Sequence, residues 1–141
     1  MRSFIVDTNI IFSALVKEGI TRTLLLLSPF NLFMPGKAIS EIIKYKPLIL
    51  EKSGLGDKEF QILFSLILER IKLVKFERYC GHMHEAEMLM GQIDKDDSPF
   101  IALAFSFKNE GIWSEDKHFE KQNKIKIFKT TDIAKLLVDE F

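Results

Sequence analysis

The chain has 141 residues, 47% of them hydrophobic, which is enough for one core and too little for two, so a single domain over 1–141 is expected. Twenty Lys and Arg balance twenty Asp and Glu, which excludes a global positive field and leaves any polyanion site to local charge. The lone Cys80 excludes an intrachain disulfide framework, and no stretch reaches the roughly 18 apolar residues of a membrane span. Asp7, Thr8 and Asn9 break the first apolar run too early for a secretory leader, so a cytoplasmic protein with no membrane partner is expected.

In chain order, Ser3–Val6 predicts a short buried strand and 10–16 a helix packed behind it, ended by Gly19. Residues 21–27 predict a strongly apolar helix stopped by Ser28-Pro29, and 31–34 a strand stopped by Pro35-Gly36. A helix over 37–44 carries Ala38, Ile39, Ile42 and Ile43 on its apolar side, with Glu41 at the edge of that stripe. Pro47 opens a further short helix, and Asp57 is expected to cap the next. In that helix Phe60, Leu63, Phe64, Ile67 and Ile71 recur at three- and four-residue spacing. Residues 71–76 alternate like a strand. Helices over 84–91 and 98–109, strands over 111–114 and 125–128, and a closing helix from Thr131 complete the chain.

Short apolar strands alternating with helices predict an α/β fold whose parallel sheet is covered on both faces, a three-layer α/β/α sandwich. Ligands bind such sheets beyond the carboxyl ends of the strands. That places Asp7, after the first strand, and Asp116, after G-I-W-S, at the functional rim.

Carboxylates stand next to element ends or helix edges at Asp7, Glu41, Asp94-Lys95-Asp96-Asp97 and Asp116. Each alone has a plain role: Asp7, Asp97 and Asp116 as caps, Glu41 as a solvated helix residue. Converging at the strand ends, they would repel one another and be forced partly protonated unless a cation sat among them. Oxygen-only ligands suit Mg²⁺ or Mn²⁺.

The motifs V-D-T-N-I, I-S-E-I-I, D-K-D-D-S-P-F-I-A-L-A and W-S-E-D-K-H-F together resemble the PIN domain family along nearly the whole chain. That family comprises metal-dependent ribonucleases of three-layer α/β fold, including the toxins of many prokaryotic toxin-antitoxin pairs. The resemblance implies that Asp7, Glu41, Asp97 and Asp116 are the catalytic, metal-binding residues, holding one or two Mg²⁺ or Mn²⁺ ions. It also implies an endoribonuclease that activates water for in-line attack on RNA, leaving a 5′-phosphate and a 3′-hydroxyl. Asp96 is the alternate to Asp97, whereas Glu51 and Glu85 do not match the helix in which the family places its glutamate. Thr8 and Asn9 are expected to organise the loop around Asp7 by side-chain to backbone hydrogen bonds, and Ser114 to approach the ion's water shell. An antitoxin protein is an implied partner.

Other features have plainer readings. C-G-H-M-H (80–84) lacks a fourth zinc ligand and reads as a loop entering a helix. His118 reads as a partly buried residue after the turn, with phosphate contact or proton transfer as the functional alternative. Lys37, Lys44 and Lys46, with Lys117, Lys121, Lys124 and Lys126, suit an RNA backbone and a solvated face about equally. The M-L-M helix and the apolar helix 21–27 read as core, with a homodimer interface as the secondary reading. A catalytically inactive RNA- or protein-binding domain is the rival class. A haloacid dehalogenase-type phosphatase would want D-x-D where this chain has Asp7-Thr8-Asn9.

Overall fold

The computed structural model describes residues 1–91 and 94–139. Its strands are β1 (Ser3–Val6), β2 (Asn31–Pro35), β3 (Ile71–Val74), β4 (Gly111–Trp113) and β5 (Ile127–Phe128). They form one sheet in the order β3-β2-β1-β4-β5, and every neighbouring pair is parallel. Phe4, Ile5 and Val6 of β1 are all buried, although successive side chains point to opposite faces, so this central strand is covered on both sides.

The covering helices are α1 (Thr8–Val16), α2 (Ile20–Leu27), α3 (Ala38–Lys44), α4 (Lys46–Ser53), α5 (Asp57–Arg70), α6 (Met83–Met90), α7 (Ser98–Ser106) and α8 (Thr130–Asp139). α7 lies against β1, β2 and β4 with α6 packed on it, while α1, α2 and α5 pack on one another. This is the expected α/β/α sandwich. No described helix is long and apolar enough to cross a membrane.

The chain runs from β1 outward through β2 to β3, then returns to place β4 on the other side of β1. The carboxyl ends of β1 and β4 therefore flank a topological switch point, the crevice where such sheets bind ligands. Side chains lock the connections around it. Arg70 donates to the carbonyls of Leu26, Ser28 and Phe30, fixing the α2–β2 turn to the end of α5. The Trp113 indole donates to Thr130 Oγ1, and the Thr130 amide donates to Glu115 Oε1, tying β4 to α8. Gly111 has φ of +145°, and a Cβ there would collide with the Lys126 carbonyl oxygen, so β4 can start at this point only with glycine.

The element ends depart from the sequence expectations where side chains take over backbone groups. The helix expected over 98–109 stops at Ser106, because Asn109 Nδ2 folds back onto the carbonyls of Ala104 and Phe107. The strand expected over 125–128 shrinks to Ile127–Phe128, because the Gln122 side chain takes both the amide and the carbonyl of Ile125. The strand expected over 71–76 ends at Val74, where its partner β2 ends at Pro35. Gly56, not Asp57, occupies the cap of α5, and its amide bonds the Glu59 carboxylate at 3.2 Å. Asp57 is instead the first helical residue and pairs with Lys46 at 3.0 Å.

Candidate metal centre at the switch point

Asp7 is delivered by the last residues of β1 and is itself bonded into the sheet, its amide donating to the Trp113 carbonyl at 3.0 Å. The next residue already begins α1, so Asp7 occupies the cap position, yet its carboxylate makes no capping hydrogen bond. Oδ2 instead accepts the Ser114 hydroxyl proton at 2.7 Å. The Ser114 oxygen in turn accepts the Asp116 amide at 2.9 Å. One hydroxyl thus joins the two strand ends and sets the direction of the turn carrying Asp116. Ser114 is thus in direct contact with Asp7.

Asp116 does cap its turn, as its Oδ1 accepts the His118 amide at 2.9 Å. Asp97 stands at the cap of α7 but also makes no capping bond. Its Oδ2 is buried and has no hydrogen-bond partner among the described residues. A short 3₁₀ turn, Lys95–Asp97, presents it, held by the Asp96 amide donating to Asp94 Oδ1 at 2.9 Å. Glu41 comes from the first turn of α3 and is exposed.

All four expected acids line one cavity of about 340 Å³, together with Asp94, Asp96, Thr8, Asn9 and an apolar wall of Phe12, Tyr45, Leu48 and Phe100. Asp97 is the buried member of its acidic run, whereas Asp96 is exposed. Asp94 joins the cluster more closely than the sequence suggests. Its carboxylate, that of Asp97 and the His118 imidazole each offer a ligand atom within 4.8 Å of the others.

The electrostatics follow from this crowding. Burial pushes the Asp7 carboxyl up to about 6, against the pull of the Ser114 hydroxyl and the Thr8 amide, with Asp116 and Glu41 adding to the rise. Burial pushes Asp97 up to about 8, helped by the carboxylates of Asp94, Asp7, Asp116 and Asp96. Glu41 is raised by partial desolvation and then by Asp96 and Asp94. Adjacent carboxylates that hold protons near neutral pH are the signature of a site lacking counter-charge. Several carboxylates around a buried, unpartnered Asp97 oxygen fit a divalent cation.

Several neighbours differ from expectation. The Thr8 hydroxyl and Asn9 Oδ1 are buried without a hydrogen-bond partner among the described residues, so these atoms do not pin the loop. Both residues are already inside α1, where the backbone fixes itself through the Ile10 amide and the Asp7 carbonyl. His118 is half-buried as expected, but its Nδ1 faces the carboxylates of Asp94, Asp97 and Asp116. Cys80 to His82 form a 3₁₀ turn that leads into α6, in line with the loop entering a helix read from the sequence, and among the described residues no metal-holding group includes them. The apolar wall and the anchoring role of Gln122 carry no local sequence signal, because their meaning depends on residues distant in the chain.

A parallel sheet with acids gathered at its switch point is an arrangement suited to binding a ligand through a metal ion. The PIN domain family model matches the chain over residues 5–134, and the chain therefore belongs to the PIN domain family. No curated protein matches it. Membership implies, in general terms, a hydrolase of a family that uses divalent metal.

Proposed function

We propose that the protein is a Mg²⁺- or Mn²⁺-dependent endoribonuclease whose Asp7, Glu41, Asp97 and Asp116 hold the ion or ions. The observation that carries this reading is the hydrogen-bonded Asp7–Ser114–Asp116 chain, its first two members buried, which lines one cavity together with Asp97. A bound divalent cation supplies positive charge that polarises a phosphodiester and eases deprotonation of an attacking water.

The chain's own residues do the rest. Ser114 holds Asp7 and Asp116 in fixed relation, so that both carboxylates are preorganised rather than recruited. Phe12, Tyr45, Leu48 and Phe100 offer a base or ribose an apolar surface beside the acids. A second groove shares Glu41, Tyr45, Asp96 and Phe100 with the first and is edged by Lys37, Lys44 and Lys95. These lysines suit the phosphates leading to the scissile bond, whereas Lys46 is engaged with Asp57. Cleavage would leave a 5′-phosphate and a 3′-hydroxyl.

A toxin role in the cytoplasm, silenced by an antitoxin, completes the proposal. Ile20 and Leu27 on α2, with Ile62 and Leu66 on the adjoining α5, are exposed large apolar residues, which supports a protein partner or a homodimer. The test is RNA cleavage in Mg²⁺ or Mn²⁺ by the wild type and by Asp7→Asn, with 5′-phosphate ends mapped. The variant is expected to fold and to lose cleavage. Equal cleavage by a folded, pure variant would overturn the assignment, and an inert wild type would favour a non-catalytic binding domain.

A further inference from the structure

We propose that the His118 imidazole is a ligand to the cation, beside Asp94 and Asp97, and that it biases the centre toward Mn²⁺ over Mg²⁺. This preference presupposes the metal centre proposed above and concerns which ion it selects.

His118 Nδ1 is buried and lacks a hydrogen-bond partner among the described residues. It lies 3.8 Å from Asp94 Oδ2, 3.8 Å from Asp97 Oδ2 and 3.6 Å from Asp116 Oδ1. Such separations are too long for hydrogen bonds. They match neighbouring ligands on a single ion, because bonds of about 2.1 Å put adjacent ligand atoms roughly 3 to 4 Å apart. Asp97, 7% exposed, supplies an independent sign, since its Oδ2 is also buried, unpartnered and turned toward the same nitrogen.

The backbone holds the ring there from both sides. The His118 amide is bonded to Asp116, and the next residue, Phe119, is fully buried with its ring against Phe100 at 6.3 Å. An imidazole pointing into a cluster of acids changes the chemistry of selection. Mg²⁺ favours hard oxygen ligands and gives up water reluctantly, whereas imidazole nitrogen suits transition-metal ions. His82 and His84 lie in a separate turn and helix start, so the nitrogen in question is that of His118.

The experiment is pulsed electron paramagnetic resonance of the full chain loaded with Mn²⁺, paired with calorimetric titration of Mn²⁺ and of Mg²⁺. Wild type is expected to show ¹⁴N coupling from a directly bound imidazole. His118→Gln is expected to keep binding Mn²⁺ without that coupling, its preference for Mn²⁺ over Mg²⁺ falling about tenfold. Mn²⁺ bound to wild type with no ¹⁴N coupling would overturn the proposal while leaving the metal centre standing. Coupling that persists in His118→Gln, or an unchanged preference, would overturn it equally. No Mn²⁺ binding by wild type would overturn both readings.

Discussion

Ser114 donates its hydroxyl proton to Asp7 Oδ2 at 2.7 Å, across 107 positions of sequence, and so bolts the end of β1 to the end of β4. Both partners are buried, Asp7 at 4% and Ser114 at 1% exposure, so water cannot readily replace either. Ser114→Ala is expected to leave Asp7 and the Asp116 amide without their shared partner. Divalent-ion affinity should fall about 10- to 100-fold, the usual cost of losing a group that orients a ligand. Calorimetric titration with Mn²⁺ checks this, and an unchanged affinity would show that Ser114 does not position the site.

The crowded carboxylates predict an unusual pH dependence for the metal-free protein. Asp7 at about 6 and Asp97 at about 8 hold their protons more tightly folded than unfolded. Unfolded aspartate titrates near about 4, so above that pH the unfolded chain releases protons that the folded chain retains. Stability from these groups is fully present below about pH 4 and is lost as pH rises through 6 and then 8. Thermal melts in EDTA should therefore fall across that window. Saturating Mn²⁺ should raise the neutral-pH melting temperature and flatten the slope, because the ion favours the ionised carboxylates. A metal-free melting temperature independent of pH would contradict the electrostatics described here.

Gly111→Ala should destabilise the fold by more than about 1 kcal/mol, because it combines a positive φ with a collision against backbone. The obstacle is the Lys126 carbonyl on the strand-entry segment next door, which cannot swing aside like a side chain. Urea unfolding reads the loss, and a midpoint equal to wild type would refute the steric account.

Gln122 makes four hydrogen bonds, donating to the carbonyls of Phe119 and Ile125 and accepting the amides of Lys124 and Ile125. It holds the loop that follows the Asp116–His118 turn. Gln122→Leu leaves those backbone groups without their partner and should cost about 1–3 kcal/mol. Cleavage should fall with it, as the turn carrying Asp116 loosens. Denaturant melts and RNA assays on the same preparation check both effects.

Phosphate contacts predict a salt signature. If Lys37 and Lys44 each neutralise one phosphate of single-stranded RNA, the double alanine variant should reduce the slope of log affinity against log salt by roughly 1.4, or about 0.7 per contact. Binding of a non-cleavable RNA at several ionic strengths measures it. An unchanged slope would return these lysines to the solvated face.

The sequence by itself determined the α/β alternation and the order of the elements, and it marked the acids that line the cavity, because short apolar strands and carboxylates near element ends are local patterns. Asp7 and Asp116 were legible as rim residues because each directly follows a strand. Tertiary structure alone gave Asp97 and Asp96 different surroundings, burying the first and exposing the second, a difference that two adjacent identical side chains do not show in sequence. It likewise brought Asp94 and His118 together with Asp97, as residues from separate turns acquire a common point only when the sheet closes over its switch point. The Ser114–Asp7 bond belongs to the same class. Local patterning records which face a residue turns to the core, but it carries no record of what lies opposite.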